Sequence, residues 1–225
     1  MNTGLIIAVD GPSGAGKSSS SRLLAERLGY RYVDTGALYR VVGLLAVERR
    51  VSPEDAVALA TLCDSLALRF VPGPEGVRLL LDERDITADI RRPEVSQMAS
   101  KVSAQPIVRQ RLLARQRELG QDGGVVVEGR DIGTVVFPAA DVKFYLEASP
   151  EERGRRRHAE LQHQAALASL AGTIQEMAAR DQRDSSREHA PLRRAPDAVM
   201  VDTTSRTLTE VVEVMIRCVQ AARKC

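Results

Sequence analysis

A lysine preceded by three spaced glycines and followed by four serines stands near the start of the chain, in Gly11-Pro12-Ser13-Gly14-Ala15-Gly16-Lys17-Ser18 and on through Ser21. The spacing G-x-x-x-x-G-K-[ST] is complete. Glycines at these places let successive backbone N–H groups turn inward around an anion, in conformations a side chain would penalise. A helix starting at the lysine adds the partial positive charge of its N-terminus. Lys17 then reaches the terminal phosphates of a nucleoside triphosphate and the Ser18 hydroxyl is available to Mg²⁺. Ser19 is placed to touch the α-phosphate through its hydroxyl or N–H.

Arginine is the other residue type here that suits phosphate. Arg40, Arg109, Arg130, Arg180 and Arg187 each fall in or beside an expected loop or helix end. Guanidinium groups bind phosphate bidentately, and in-line transfer between phosphates needs charge neutralised on both donor and acceptor. Arg40 closes "DTGALYR" (34–40), and "EGRDIG" (128–133) directly follows an apolar run. That second setting is the carboxyl end of a strand, where open α/β sheets place their ligands. Arg180, Asp184 and Arg187, at i, i+4 and i+7, share a face if that segment is helical, which suits a binding site or an exposed ion-pair ladder. Arg153, Arg156 and Arg157 fit either a solvated basic face or a lid that closes over a triphosphate and excludes water. A guanine-reading N-K-x-D sequence and an L-S-G-G-Q-type signature are both missing, which favours a small-molecule kinase over a GTPase or a transporter ATPase.

Positioning these groups requires strands that end at them. "LIIAV" (5–9) reads as a buried strand feeding a helix over 16–28, and 30–34 as a second strand followed by a helix to about Glu48. Ser52-Pro53-Glu54-Asp55 reads as a helix start with Pro at the first position. Residues 66–87 carry a hairpin signal, two β-like runs joined by a Pro/Gly turn. Helical patterns follow at about 91–104 and 106–119, then strands within 123–131 and 141–148. Helices at 150–165 and 171–185, a loop at 185–196, a strand at 198–202 and a helix at 207–222 complete the chain. Strands alternating with helices imply an α/β sandwich with a parallel sheet, the hairpin region being an insertion.

The 225 residues fit one large domain, or one with a sizeable insertion. A net charge of +2, from 32 basic and 30 acidic residues, argues against general nucleic-acid binding. Three cysteines (Cys63, Cys218, Cys225) and three histidines make no metal-ligand spacing, and a reduced, cytoplasmic setting is expected. No segment is long and apolar enough to span a bilayer.

"DGPSGAGKSS", "DTGALYR", "EGRDIGTVVFP" and "RDQRDSSREHAPL", in this order, resemble the bacterial cytidylate kinases over essentially the whole chain. The resemblance implies a P-loop NTPase fold, three-layer α/β/α with a parallel sheet. A core would comprise about 1–65, 121–150 and 190–225, with an enlarged monophosphate-binding insertion at about 66–120 and a short helical lid region at about 151–189. It implies ATP and Mg²⁺ with CMP or dCMP as acceptor; separately, nothing in the sequence demands more than a monomer. ATP would occupy residues 11–19 and Arg157. Arg40, Arg130 and Arg187 would hold the acceptor phosphate, and Ser100, Arg109 and Asp131 would read cytosine, with Thr35 close by. Arg180 and Asp184 would contact the pentose, while Lys17, Arg130, Arg156 and Arg187 would serve catalysis. The family often has Asp where Glu128 stands, a carboxylate expected to support Mg²⁺ through water.

Overall fold

In the computed structural model of the chain, residues 4–73, 76–163 and 169–223 are described. They run β1 (Ile6–Asp10), α1 (Lys17–Leu28), β2 (Arg31–Asp34), α2 (Thr35–Glu48), α3 (Ala56–Asp64), β3 (Leu68–Gly73), β4 (Gly76–Leu81) and β5 (Arg84–Asp85). A 3₁₀ turn at Asp89–Arg91 leads to α4 (Pro93–Val102), α5 (Pro106–Glu118) and β6 (Val125–Glu128). A π-helical turn at Ile132–Val136 precedes β7 (Val142–Glu147), α6 (Pro150–His163), α7 (Leu170–Ser186), β8 (Val199–Asp202) and α8 (Leu208–Ala222). The chain packs as two units, Met1–Asp34 with Gln116–Cys225, and Thr35–Arg115.

The larger unit is built on a five-stranded, wholly parallel sheet in the order β2-β6-β1-β7-β8. Its inner strands are short apolar runs, as a sheet covered by helices requires. Ile7, Ala8, Val9 and Val125 to Val127 are completely buried. Leu24 and Ala25 of α1, with Val211, Val212, Met215 and Val219 of α8, close over Ile7, Val9, Val126, Phe144 and Leu146. The α8 positions recur on one helical face, and a reciprocal capping box between Thr207 and Glu210 fixes where that helix begins. At the other end of α1, Gly29 takes the left-handed conformation and returns its N–H to the last turn. No described helix is long and apolar enough to cross a membrane.

In the smaller unit, α2 is buried along most of its length and packs on α4. Gly43 makes that approach possible, since a Cβ there would lie 2.9 Å from the Ala99 nitrogen and 3.0 Å from the Val95 carbonyl oxygen. The expected hairpin is part of an antiparallel meander, β3-β4-β5, and the tip of its Pro/Gly turn, 74–75, lies outside the described residues. The helix start expected at Pro53 is corrected. The helix begins at Ala56, because the Asp55 carboxylate accepts the Ala58 N–H at 2.9 Å and so serves as the N-cap. Pro53 sits in the preceding turn.

Phe144 is a fully buried aromatic in the larger unit's core. Phe144→Ala is expected to cost about 3–5 kcal/mol, whereas exposed Val57→Ala changes stability by less than about 0.5 kcal/mol. Urea unfolding of both variants measures the difference.

Candidate active site

The phosphate loop connects β1 to α1, and its glycines take conformations that other residues rarely adopt. Gly11, Gly14 and Gly16 have φ of 144°, 73° and 80°. A Cβ on Gly11 would lie 2.0 Å from the Leu146 carbonyl oxygen, and one on Gly14 would lie 2.8 Å from Met177 Cε. The loop is therefore pressed against β7 and α7, and only glycine fits. Other parts of the larger unit grip its carbonyls. Arg153 Nη1 donates to the Ser13 oxygen at 3.1 Å, and buried Thr203 donates its hydroxyl to the Ala15 oxygen at 3.1 Å. Arg156 in turn donates to the Thr203 hydroxyl and carbonyl.

Lys17 is buried at the start of α1, where its Nζ donates to the Pro12 carbonyl at 2.7 Å. Burial, and then the neighbouring Arg130 guanidinium, push its ammonium down to about 7, with Glu128 pulling the other way. Glu128, the last residue of β6, is also buried. One of its oxygens accepts both the Ser18 and the Tyr32 hydroxyls, each at 2.7 Å. Burial and then nearby Asp34 raise its carboxyl above the ordinary range. A hydroxyl and a buried carboxylate thus meet at the end of the loop, a pair of hard oxygen ligands that suits Mg²⁺.

A second cluster collects residues far apart in the chain. Arg130 donates through Nη2 to the Ser13 hydroxyl at 2.7 Å and pairs through Nε with Asp184 at 3.1 Å. Asp184 lies 3.7 Å from Arg187. Burial alone would raise the Asp184 carboxyl, but Arg130, Arg180 and Arg187 hold it below its usual range. Arg187 is one residue beyond the end of α7, so the expectation of a single helical face for all three residues is corrected at its last member. The chain turns there and folds back, Arg187 Nε donating to Ala190 and the Leu192 N–H to the Asp184 carbonyl.

Arg153, Arg156 and Arg157 of α6 do not make a solvated face. Arg153 is buried and paired with Asp181, Arg156 pairs with Glu152 and Thr203, and only Arg157 engages a more exposed partner, Glu160. In the smaller unit, Thr35 is buried at the start of α2 and Arg40 lies farther along it. Ser100 is buried in α4. Arg109 lies over the Tyr39 ring at 5.5 Å and donates to the Ser103 carbonyl, while the Ser103 hydroxyl donates to the Ser100 carbonyl. Tyr32, Tyr39, Thr203, Asp10 and Asp181 were not singled out from sequence. Tyr39, Asp10 and Asp181 stand inside the motifs given above, and Asp10 directly precedes the first loop glycine. Nothing local marks Tyr32 or Thr203.

A parallel sheet whose central strand runs through such a loop into a lysine-bearing helix defines a P-loop nucleotide-binding protein. The sequence pattern of the cytidylate kinases matches residues 7–221. A cytidylate kinase of Geobacter sulfurreducens is 51% identical over 212 residues, 94% of this chain and 91% of that one. One of Pasteurella multocida is 43% identical over 94% of this chain and 93% of its own. Among solved structures, an uncharacterized protein from Eubacterium ventriosum aligns with a TM-score of 0.54 at 9% identity, covering 96% of this chain and 98% of that one, a likeness of fold alone. The chain belongs to the cytidylate kinase family.

Because the Ser18 and Tyr32 hydroxyls serve one buried oxygen, their losses are not independent. Ser18→Ala and Tyr32→Phe are each expected to cost about 1–3 kcal/mol of stability. The double variant should depart from the sum by at least about 0.5 kcal/mol in a denaturation cycle.

Proposed function

We propose that the protein transfers the γ-phosphoryl group of ATP to CMP and dCMP, giving ADP with CDP and dCDP, as a cytoplasmic monomer in pyrimidine nucleotide metabolism. The observation that carries this reading is the buried Lys17 at the phosphate loop beside Arg130 and Arg180, two arginines that with Arg187 also surround Asp184, in a chain of this family. The loop, residues 11–19, takes the phosphates of ATP, and Arg157 takes another part of the donor. Mg²⁺ would be held by Ser18 directly and by Glu128 through water, where it supplies positive charge to the phosphates.

The attacking group is an oxygen of the acceptor phosphate. A phosphate monoester has a second pKa of about 6, so this oxygen is already anionic near neutral pH and needs no general base. What the residues must do is align two polyanions and stabilise the charge that moves between them. Lys17 does this on the donor side, with Arg40, Arg130 and Arg187 on the acceptor phosphate and Arg156 bracing the loop through Thr203. Arg180 and Asp184 contact the pentose. Ser100, Arg109 and Asp131 read the cytosine edge near Thr35, within a monophosphate-binding insertion at about 66–120 and the core strand end. The segment at about 151–189 serves as the lid.

Cytosine presents an amino group where uracil has a carbonyl, so a carboxylate partner suits CMP and opposes UMP. Leaving that pair unmade costs ~1–3 kcal/mol, or roughly 5- to 150-fold in kcat/KM. ADP release measured with CMP, dCMP, UMP, AMP, GMP and shikimate tests the proposal. Stimulation by CMP and dCMP well above UMP supports it, and equal rates with CMP and UMP would sink the role given to Asp131.

Lys17 supplies a second test. An adjacent polyanion raises an ammonium that burial has lowered to about 7, so ATP binding takes up a proton near pH 8 or so. Calorimetry in buffers of different ionisation enthalpy should register this uptake. Lys17→Met should remove it and nearly abolish transfer.

A further inference from the structure

Asp10 takes no part in the chemistry above, yet it is a buried carboxylate at the end of the central strand. Its two oxygens are each used. Oδ1 accepts the Ile132 N–H and Oδ2 the Gly133 N–H, both at 2.8 Å. Those two amides open the π-helical turn that begins immediately after Arg130 and Asp131. Immediately before the same pair, the Gly129 N–H donates to the Val9 carbonyl at 3.0 Å. The two-residue segment Arg130–Asp131 is therefore tied at both ends to two consecutive residues of β1, and the next residue of that strand's chain is Gly11 of the phosphate loop.

The fit of the turn onto the carboxylate is close. A Cβ on Gly133 would meet Lys143 Cδ at 3.1 Å and Asp10 Oδ2 at 3.4 Å. The charged groups that face Asp10 are Asp131 and Lys17, of opposite sign, and Tyr145 is its register partner on β7. Burial pushes the Asp10 carboxyl up to about 6, against the two backbone hydrogen bonds and Lys17, which lower it. Packing alone does not call for an ion here, because asparagine has nearly the same shape. What asparagine lacks is a second acceptor, since its amide nitrogen would face one of the two N–H groups.

We propose that Asp10 is a positioning residue, which sets Arg130 and Asp131 at a fixed reach from Lys17 by pinning the turn behind them to the strand that carries the phosphate loop. The inference rests on the reading that Arg130 and Asp131 hold CMP. Asp10 touches neither substrate, and its effect passes through the main chain of Ile132 and Gly133.

Calorimetric affinities for CMP and for ATP, with kcat/KM for CMP and UMP, test this in Asp10→Asn with Arg130→Ala as the control. The expected result for Asp10→Asn is a KM for CMP raised about tenfold and a smaller CMP-to-UMP ratio, with ATP affinity within about twofold. Parallel loss of ATP and CMP affinity would overturn the proposal, because the carboxylate would then be serving the phosphate loop itself. No change in either would overturn it too. If Arg130→Ala keeps full CMP affinity, the acceptor-site reading falls and the inference falls with it. If Arg130→Ala loses CMP affinity while Asp10→Asn does not, only the inference falls. Should Asp10→Asn fail to fold, Gly133→Ala keeps the carboxylate and displaces the turn, and it should show the same split between CMP and ATP to a smaller degree; unchanged CMP kinetics in it would count against the proposal.

Discussion

Lys17 is held out of water beside Arg130 and Arg180, and much of the larger unit is arranged around that unfavourable crowding of positive charge. A buried ammonium next to guanidinium groups loses hydration and gains repulsion. The fold offsets this with carboxylates at three strand or helix ends: Glu128 closing β6, Asp10 closing β1 and Asp184 near the end of α7. Each is itself buried and would be costly alone. Held together they are tolerable, and the balance leaves the site biased toward an anion. Asp184 shows this most directly, since a single carboxylate answers to Arg130, Arg180 and Arg187.

The same economy governs the backbone. Three loop glycines sit at positive φ, which glycine reaches without steric cost, but glycine also loses the most backbone entropy when one conformation is fixed. Enforcement comes from Arg153 on the Ser13 carbonyl, Thr203 on the Ala15 carbonyl and the contact of Gly11 with β7. Carbonyls that are drawn outward by such donors leave the loop N–H groups turned the other way, which is the arrangement an anion needs. The π-helical turn after Asp131 belongs to the same logic, because an extra residue in a helical turn aims the preceding side chains differently from a regular helix.

The parts legible in the sequence were those with local signatures. The phosphate loop pattern, the apolar strand ahead of it and the strand-end placement of "EGRDIG" all depend on neighbours within a few residues, and the parallel sheet followed from their alternation with helices. The dependence of the site on Asp10, by contrast, runs through hydrogen bonds spanning 122 and 123 residues, and Thr203 reaches Ala15 across 188. No spacing rule carries such information. Where local signals competed, the nearer hydrogen bond won, as when Asp55 capped α3 in place of the Pro53 start. Arg187 kept its relation to Asp184 although the helix ended before it, because the returning chain at Ala190 and Leu192 redirected it. Arg153, Arg156 and Arg157 of α6 read as equivalent by spacing. They differ because Ser13, Asp181 and Thr203 happen to face two of them.

These constraints bear on why a transfer between two phosphates needs so little conventional acid–base equipment. A dianionic acceptor brings its own nucleophile, and what opposes reaction is repulsion between two polyanions rather than a proton in the wrong place. A guanidinium that is already partly buried and already oriented by Ser13 and Asp184, as that of Arg130 is, needs little reorganisation when charge shifts toward it. Preorganisation of that kind has to be built into the folded state, where it appears as buried like charges and glycines held at positive φ. A central strand that ends in both a phosphate loop and a carboxylate anchoring the neighbouring loop lets one rigid element set both orientations at once. Misplacing either side by an ångström would undo the alignment on which the rate depends, so the least tolerant positions in the chain should include residues that meet no substrate at all.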